Sequence, residues 1–147
     1  MKLSDILSAN SVMLSVKTKS KRQLLQDISE FAAKTTKVDD RIIFDALLER
    51  ENLGSTGFGS GVALPHCRLA ELDRVYGFFV KLATPIDFEA IDNKPVDIIF
   101  LLLSPESSGA DHLTALAQIS RLLKDKNLIT KLRDAGSHEE ILALLNN

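Results

Sequence analysis

The chain is poor in the residues that mark several common functions. Among 147 residues it has one cysteine, Cys67, one tyrosine and no tryptophan. A lone cysteine excludes an internal disulfide and any multi-cysteine zinc site. So few large aromatics leave little surface on which bases or sugar rings could stack. Long apolar runs are also missing. The longest, Ile98 to Leu103, has six residues, far below the roughly 20 needed to span a bilayer. The opening Met1-Lys2-Leu3-Ser4-Asp5 carries an acid at its fifth position and no sustained apolar stretch, unlike a signal peptide. Neither charge sign dominates: 18 lysines and arginines face 20 acids, a net charge of −2. Nucleic-acid binding requires a basic face, and the one local basic excess, Lys17 to Arg22, reads as the solvated start of a helix. A soluble cytoplasmic protein is expected, with no nucleic-acid partner and no membrane insertion.

What is present suits a folded domain. Hydrophobic residues make up 45% of the chain, and its length is that of one domain with a real core. Val12 to Val16 reads as a strand. Ser20-Lys21-Arg22-Gln23 matches a capping box, opening a helix with Leu24, Leu25, Ile28, Phe31 and Ala32 on one stripe. Asp39 or Asp40 caps a second helix through about Glu51, with Ile42, Ile43, Ala46 and Leu47 facing inward. Val75 to Ala83 reads as a strand, and Ile98 to Leu103 as a strand buried on both faces because it does not alternate. Helices are expected over Asp111 to Lys124, over Asn127 to Ala135, and after the cap Ser137, with Gly136 as a stop. This mixture predicts an α/β fold, a small mixed sheet flanked by helices on both faces. The order of the strands is not legible.

Glycine is scarce except in one place. Four of the seven glycines, Gly54, Gly57, Gly59 and Gly61, fall within eight residues. The run continues through Val62-Ala63-Leu64 to Pro65-His66. Glycine lets backbone approach a bound group closely, and successive N–H groups in such a loop can form an anion site. Pro65 fixes its own φ and holds the following imidazole at a defined angle. A histidine beyond a glycine loop suggests phosphate carried on the ring or bound beside it.

Two further residues break the core pattern. Ile43, Leu47 and Arg50 lie at i, i+4 and i+7, so Arg50 falls on the buried stripe one turn before the glycines. It could cap helix carbonyls, or aim a guanidinium fork at an oxyanion beyond the helix end. His112 shares a face with Leu116, Ile119 and Leu123. It could be a satisfied core histidine, or a neutral imidazole that orients a neighbour, since a helix N-terminus and apolar surroundings both disfavour its charged form. His138 reads as a surface residue.

Several chemistries fail on the motif. Gly54 to Gly59 is followed by Ser60-Gly61 where a nucleotide P-loop needs Lys-Ser/Thr. There is no G-x-S-x-G elbow. A zinc site from His66, Cys67 and His112 lacks an i, i+4 histidine pair. Cys67 follows His66 on extended backbone and points to the opposite face, so it is a packing residue. Histidine as a phosphate nucleophile remains. His66 is the candidate acceptor, with Arg50 and His112 beside it and Ser55, Thr56, Gly57 and Ser60 as phosphate-binding candidates. No cofactor or metal is required, because the phosphoryl group need not come from a nucleotide.

At this point the sequence resembles a known family. Glu49-Arg50-Glu51, Gly54-Ser55-Thr56-Gly57 and Gly61-Val62-Ala63-Leu64-Pro65-His66 resemble the signature of mannitol/fructose-type enzyme IIA domains of the phosphoenolpyruvate-dependent sugar phosphotransferase system. Lys2-Leu3-Ser4-Asp5-Ile6-Leu7 and Asp111-His112-Leu113-Thr114-Ala115-Leu116-Ala117 are similar to family segments too. Leu53-Gly54-Ser55-Thr56-Gly57-Phe58-Gly59 most resembles the nitrogen-regulatory branch. The resemblance covers essentially the whole chain and implies one enzyme IIA type-2 domain over residues 1–147. It implies a phosphohistidine carrier protein as donor and phosphorylation at Nε2 of His66, with Arg50 and His112 lining the site. Sugar-specific members pass the group to a cysteine of an enzyme IIB. Nitrogen-branch members instead regulate partners such as potassium-transport components and sensor kinases. Two rivals stay open: a sugar-pathway enzyme IIA, marked by a fused or neighbouring enzyme IIB, and a non-catalytic module binding free anion. Phe58 and Leu69 are read as exposed apolar residues, at an interface or packed locally.

Overall fold

The computed structural model describes residues 2–146. Its local structure follows the caps. Strand β1, Val12–Val16, precedes helix α1, Lys21–Thr36, whose first turn is tied by Ser20 Oγ accepting from the Gln23 N–H at 3.1 Å. The Gln23 side chain donates forward to Asp27 at 2.8 Å instead of back to Ser20, so only half of the expected capping box forms. Lys37, in the left-handed region at φ 64°, ends the helix. Asp39 then caps α2, Asp40–Asn52, through the Arg41 N–H at 2.9 Å.

The glycine run is a β-hairpin, β2 (Gly57–Gly59) paired antiparallel with β3 (Val62–Ala63). Its two turn residues both have positive φ, 58° at Ser60 and 80° at Gly61, the requirement of a tight turn that follows strand twist. β4 (His66–Leu69), β5 (Tyr76–Ile86) and β6 (Val96–Pro105) follow. Helices α3 (Ala110–Leu123), α4 (Lys126–Asp134) and α5 (His138–Leu145) complete the described chain.

The sheet runs β1-β5-β6-β3-β2, with β4 also pairing β6. It is mixed: β5 and β6 are antiparallel, while β1 is parallel to β5, and β3 and β4 are parallel to β6. β6 is the spine. All its residues are buried except Asp97, which is half-buried, so it reads as a continuous apolar run. Ile99, Leu101 and Leu103 pack with Leu24, Ile28, Ile43 and Leu47 of α1 and α2. Ile98, Phe100 and Leu102 pack with Ile119, Leu132 and Ile141 of α3 to α5. Helices therefore cover both faces, as the alternation failure in this strand predicts.

Some local expectations need correction. Ile42 is 39% exposed instead of facing inward, because the α2 stripe is centred on Ile43 and Leu47, both fully buried. Leu69 is buried, and Phe58 is half-buried against the α3–α5 cluster, so neither is an exposed apolar residue. The short strands β2 and β4 have too few residues to show a period.

Candidate functional site

His66 opens β4, where the ladder along β6 resumes after Leu64-Pro65. Its backbone is held opposite Leu102, and the Leu102 N–H donates to the Pro65 carbonyl at 3.0 Å. The ring is fixed as firmly as the backbone. Nδ1 lies 2.8 Å from the Leu64 carbonyl, an acceptor only, so Nδ1 carries the proton and donates. Nε2 is then the nitrogen with the lone pair. Burial depresses the His66 pKa below its ordinary 6.5 and the Arg50 guanidinium acts in the same direction; the Leu64 bond and the Glu51 carboxylate oppose them. The net shift favours the neutral, nucleophilic ring.

His112 comes from the first turn of α3. Its ring centroid lies 5.9 Å from that of His66, with the planes inclined at 45°. The residue is only 5% exposed, and its Nδ1 sits 2.7 Å from Ser104 Oγ at the end of β6. Burial, then Arg68, then His66 lower its pKa to about 4. Two adjacent rings that both disfavour protonation keep a mobile proton out of the site near neutrality.

Arg50 closes the third side from the last turn of α2. Its Nη1 donates to the Gly54 carbonyl at 3.0 Å, in the loop beyond the helix and not to one of the expected helix carbonyls. Arg50, His66, Arg68, Glu106 and His112 line one cleft of about 470 Å³, with Leu53 at its rim. Leu53 is 82% exposed.

The loop residues lie differently. None of Ser55, Thr56, Gly57 and Ser60 lines this cleft, and the first three have intramolecular partners. Ser55 Oγ donates to Phe88 at 3.0 Å and accepts from the Gly57 N–H at 3.1 Å. The Thr56 N–H donates to Glu51 Oε1 at 3.0 Å, and its hydroxyl donates to Oε2. A Cβ on Gly57 would lie 2.9 Å from Ala90 Cβ, so packing against that neighbour accounts for this glycine. Ser60 belongs to a separate cleft. Gly57, Gly59 and Gly61 belong to a tight hairpin, which the sequence does not distinguish from an anion loop.

Glu51, Arg68, Ser104 and Glu106 were missed by the sequence reading. Glu51 is 5% exposed, and Lys21 Nζ lies 3.1 Å from its Oε1. Its signal was available, an acid at i+4 from Leu47 on the covered side of α2. The others come into the site only through the strand order. Cys67 is buried and its thiol is pushed up to about 12 by that burial, which suits packing and not nucleophilic attack.

Comparison with known proteins decides the family. Residues 5–147 match the family model of the phosphoenolpyruvate-dependent sugar phosphotransferase system, EIIA 2. The chain belongs to that family. It is thus a phosphoryl-carrying component of a phosphotransferase system. It is 44% identical over 145 residues to the nitrogen regulatory protein of Bradyrhizobium diazoefficiens, covering 99% of this chain and 95% of the relative. Identity to the nitrogen regulatory protein of Escherichia coli K12 is 41% over 148 residues, covering 100% and 91%. The crystal structure of nitrogen regulatory protein IIA-Ntr from Neisseria meningitidis superposes with a TM-score of 0.93 at 34% identity, covering 97% of this chain and 98% of that one. Among the described residues no helix is long and apolar enough to cross a membrane.

Proposed function

We propose that His66 accepts a phosphoryl group at Nε2 from a phosphohistidine carrier protein. The observation that carries this reading is the bond from His66 Nδ1 to the Leu64 carbonyl, which leaves the Nε2 lone pair beside Arg50, Arg68 and His112. In the transfer, the Nε2 lone pair forms the new N–P bond as the donor's N–P bond breaks. The electron pair of the broken bond returns to the donor imidazole. Charge collects on the equatorial phosphoryl oxygens, where Arg50 and Arg68 stabilise it and His112 donates one hydrogen bond. The proton on His66 Nδ1 stays in place, so the phosphorylated ring keeps its bond to Leu64.

The loop residues Ser55, Thr56, Gly57 and Ser60 take no direct part in this scheme. The same chemistry serves a regulator and a sugar-pathway intermediate. The names of the similar proteins support regulation: residues 1–147 act as one cytoplasmic enzyme IIA domain whose phosphorylation state is read by partners. Potassium-transport components and sensor kinases are the candidates. The phosphoryl group adds about −1.5 to −2 charges beside the exposed Leu53, and a partner seated there would distinguish the two forms.

The test is intact-mass measurement after incubation with phosphoenolpyruvate and the upstream phosphotransferases. An acid-labile, base-stable adduct on the wild type and none on His66→Ala is expected. An adduct persisting in His66→Ala would overturn the assignment. Transfer onward to a cysteine of an enzyme IIB would instead favour the sugar pathway. Phosphate affinity unchanged in His66→Ala, with no adduct on the wild type, would indicate an anion-binding module.

A further inference from the structure

A second cleft, of about 610 Å³, shares no lining residue with the histidine site. It is framed by the β2–β3 hairpin, the β5–β6 loop, the end of α3 and one side of α4. Its charge is of one sign: Lys94, Lys124, Lys126 and Arg133 line it and no carboxylate does. In a chain of net charge −2 this is a marked local departure.

The four cations divide into a fixed one and three available ones. Arg133 grips Asp97 through Nε and Nη2 and donates from Nη2 to the Ser60 carbonyl at 2.8 Å. It therefore belongs to the frame, clamping α4 to the hairpin turn, and Gly61 is needed because a Cβ there would strike the guanidinium. The ammonium groups of Lys94, Lys124 and Lys126 make no hydrogen bond or ion pair among the described residues. Neighbouring acids are engaged elsewhere. Asp92 accepts from the N–H groups of Ser60 and Lys94, and Asp125 caps α4 through Asn127 and Leu128. Asp92 also attracts Lys94 at longer range.

Ser60 and Thr130 add hydroxyls to the lining, and Phe58, Leu123 and Ile129 give it an apolar part. The side chain of Ile129, 3% exposed, forms the floor, and the half-buried ring of Phe58 forms a wall. An inorganic anion has no use for such a surface, whereas small-molecule sites combine a mostly apolar lining with a few convergent polar groups in about 300–1,000 Å³. We propose that this cleft binds a nucleoside di- or triphosphate, with the phosphates on Lys94, Lys124 and Lys126 and the base against Phe58. Ser60, expected beside His66, lines this cleft instead. The proposal does not depend on phosphoryl transfer by His66.

The test is titration of the amide-labelled protein with ADP, pyrophosphate and adenosine, followed by NMR. ADP is expected to shift the amides of residues 59–61 and 124–130 and to leave those of 66–68 in place. K124E/K126E should weaken ADP by about tenfold or more, while Arg50→Gln should not change it. Both lysines are exposed, so the charge-reversed variant keeps its core, which circular dichroism verifies. Phe58→Ala should weaken ADP and leave pyrophosphate unchanged. The proposal is overturned if ADP at millimolar concentration moves none of these amides, or only those near His66. Equal affinity for ADP and pyrophosphate, or full affinity in K124E/K126E, also overturns it.

Discussion

The carboxylate of Glu51 accepts from both the backbone N–H and the hydroxyl of Thr56, and Lys21 sits against the same oxygen as the N–H. One buried acid thus ties together the start of α1, the end of α2 and the entry to the hairpin that leads to His66. Replacing it with glutamine puts an N–H₂ where donors converge, leaving at least one buried polar group unmatched. Glu51→Gln should cost about 1–3 kcal/mol, seen as a lower urea midpoint at unchanged m-value. A midpoint equal to wild type would show that the network contributes nothing net.

The acid limb of phosphoryl uptake reports on His66 directly. Burial depresses its pKa below the ordinary 6.5, so the acid limb of initial uptake should lie at lower pH than that of a solvent-exposed histidine. Arg50→Gln removes a cation that lowers this pKa, so the limb should move to higher pH. Glu51→Gln removes an anion that raises it and should move the limb the other way. NMR titration of the His66 ring, alongside rates, checks both directions. A limb that ignores Arg50 would place that guanidinium outside the electrostatics of the ring.

In the proposed transfer Arg50 holds the phosphoryl oxygens. Loss of one charge-assisted contact to the phosphoryl group, about 1.5–3 kcal/mol, should slow uptake in Arg50→Gln by roughly tenfold to a hundredfold at a pH above both limbs. Single-turnover measurement with phosphorylated carrier protein tests this. A rate within twofold of wild type would remove Arg50 from the reaction.

His112 makes the protein acid-sensitive. Its pKa is about 4 in the folded chain against 6.5 for an ordinary histidine, so between those values the unfolded chain binds more protons. Stability should therefore fall as pH drops from 6.5 towards 4 and the dependence should level off below that. His112→Gln should flatten this part of the profile relative to wild type. An unchanged profile would assign the acid sensitivity to other groups.

Two glycines should respond oppositely to alanine. At Gly57 the new methyl meets Ala90 Cβ at 2.9 Å and its Cα at 3.0 Å, so Gly57→Ala should destabilise by about 1–3 kcal/mol. At Gly136 nothing lies within 4 Å, and Gly136→Ala should be neutral or up to about 1 kcal/mol more stable. Thermal melts of the pair test whether packing or chain freedom governs each site.

The residues that showed themselves in the sequence did so through local rules. Ser20, Asp39 and Ser137 cap the helices expected of them, and helical spacing placed Arg50 and His112 on covered faces before any coordinates. Their meeting at His66 followed from the needs of phosphoryl chemistry and from the resemblance, and not from local spacing, since the partners come from α2, β4 and α3. What stayed hidden was non-local or degenerate. Glycine density fits a tight hairpin as well as an anion loop. Ser104 and Arg68 enter the site through the pairing of β4 with β6, and strand order leaves no trace in periodicity.

β4 and β6 have one last implication. The His66 ring stands on backbone laced to the most deeply buried strand of the sheet, with little slack on either side of Pro65. Phosphorylation there, as proposed, should leave the fold's outline superimposable, so that a partner would sense altered potential at a fixed contour.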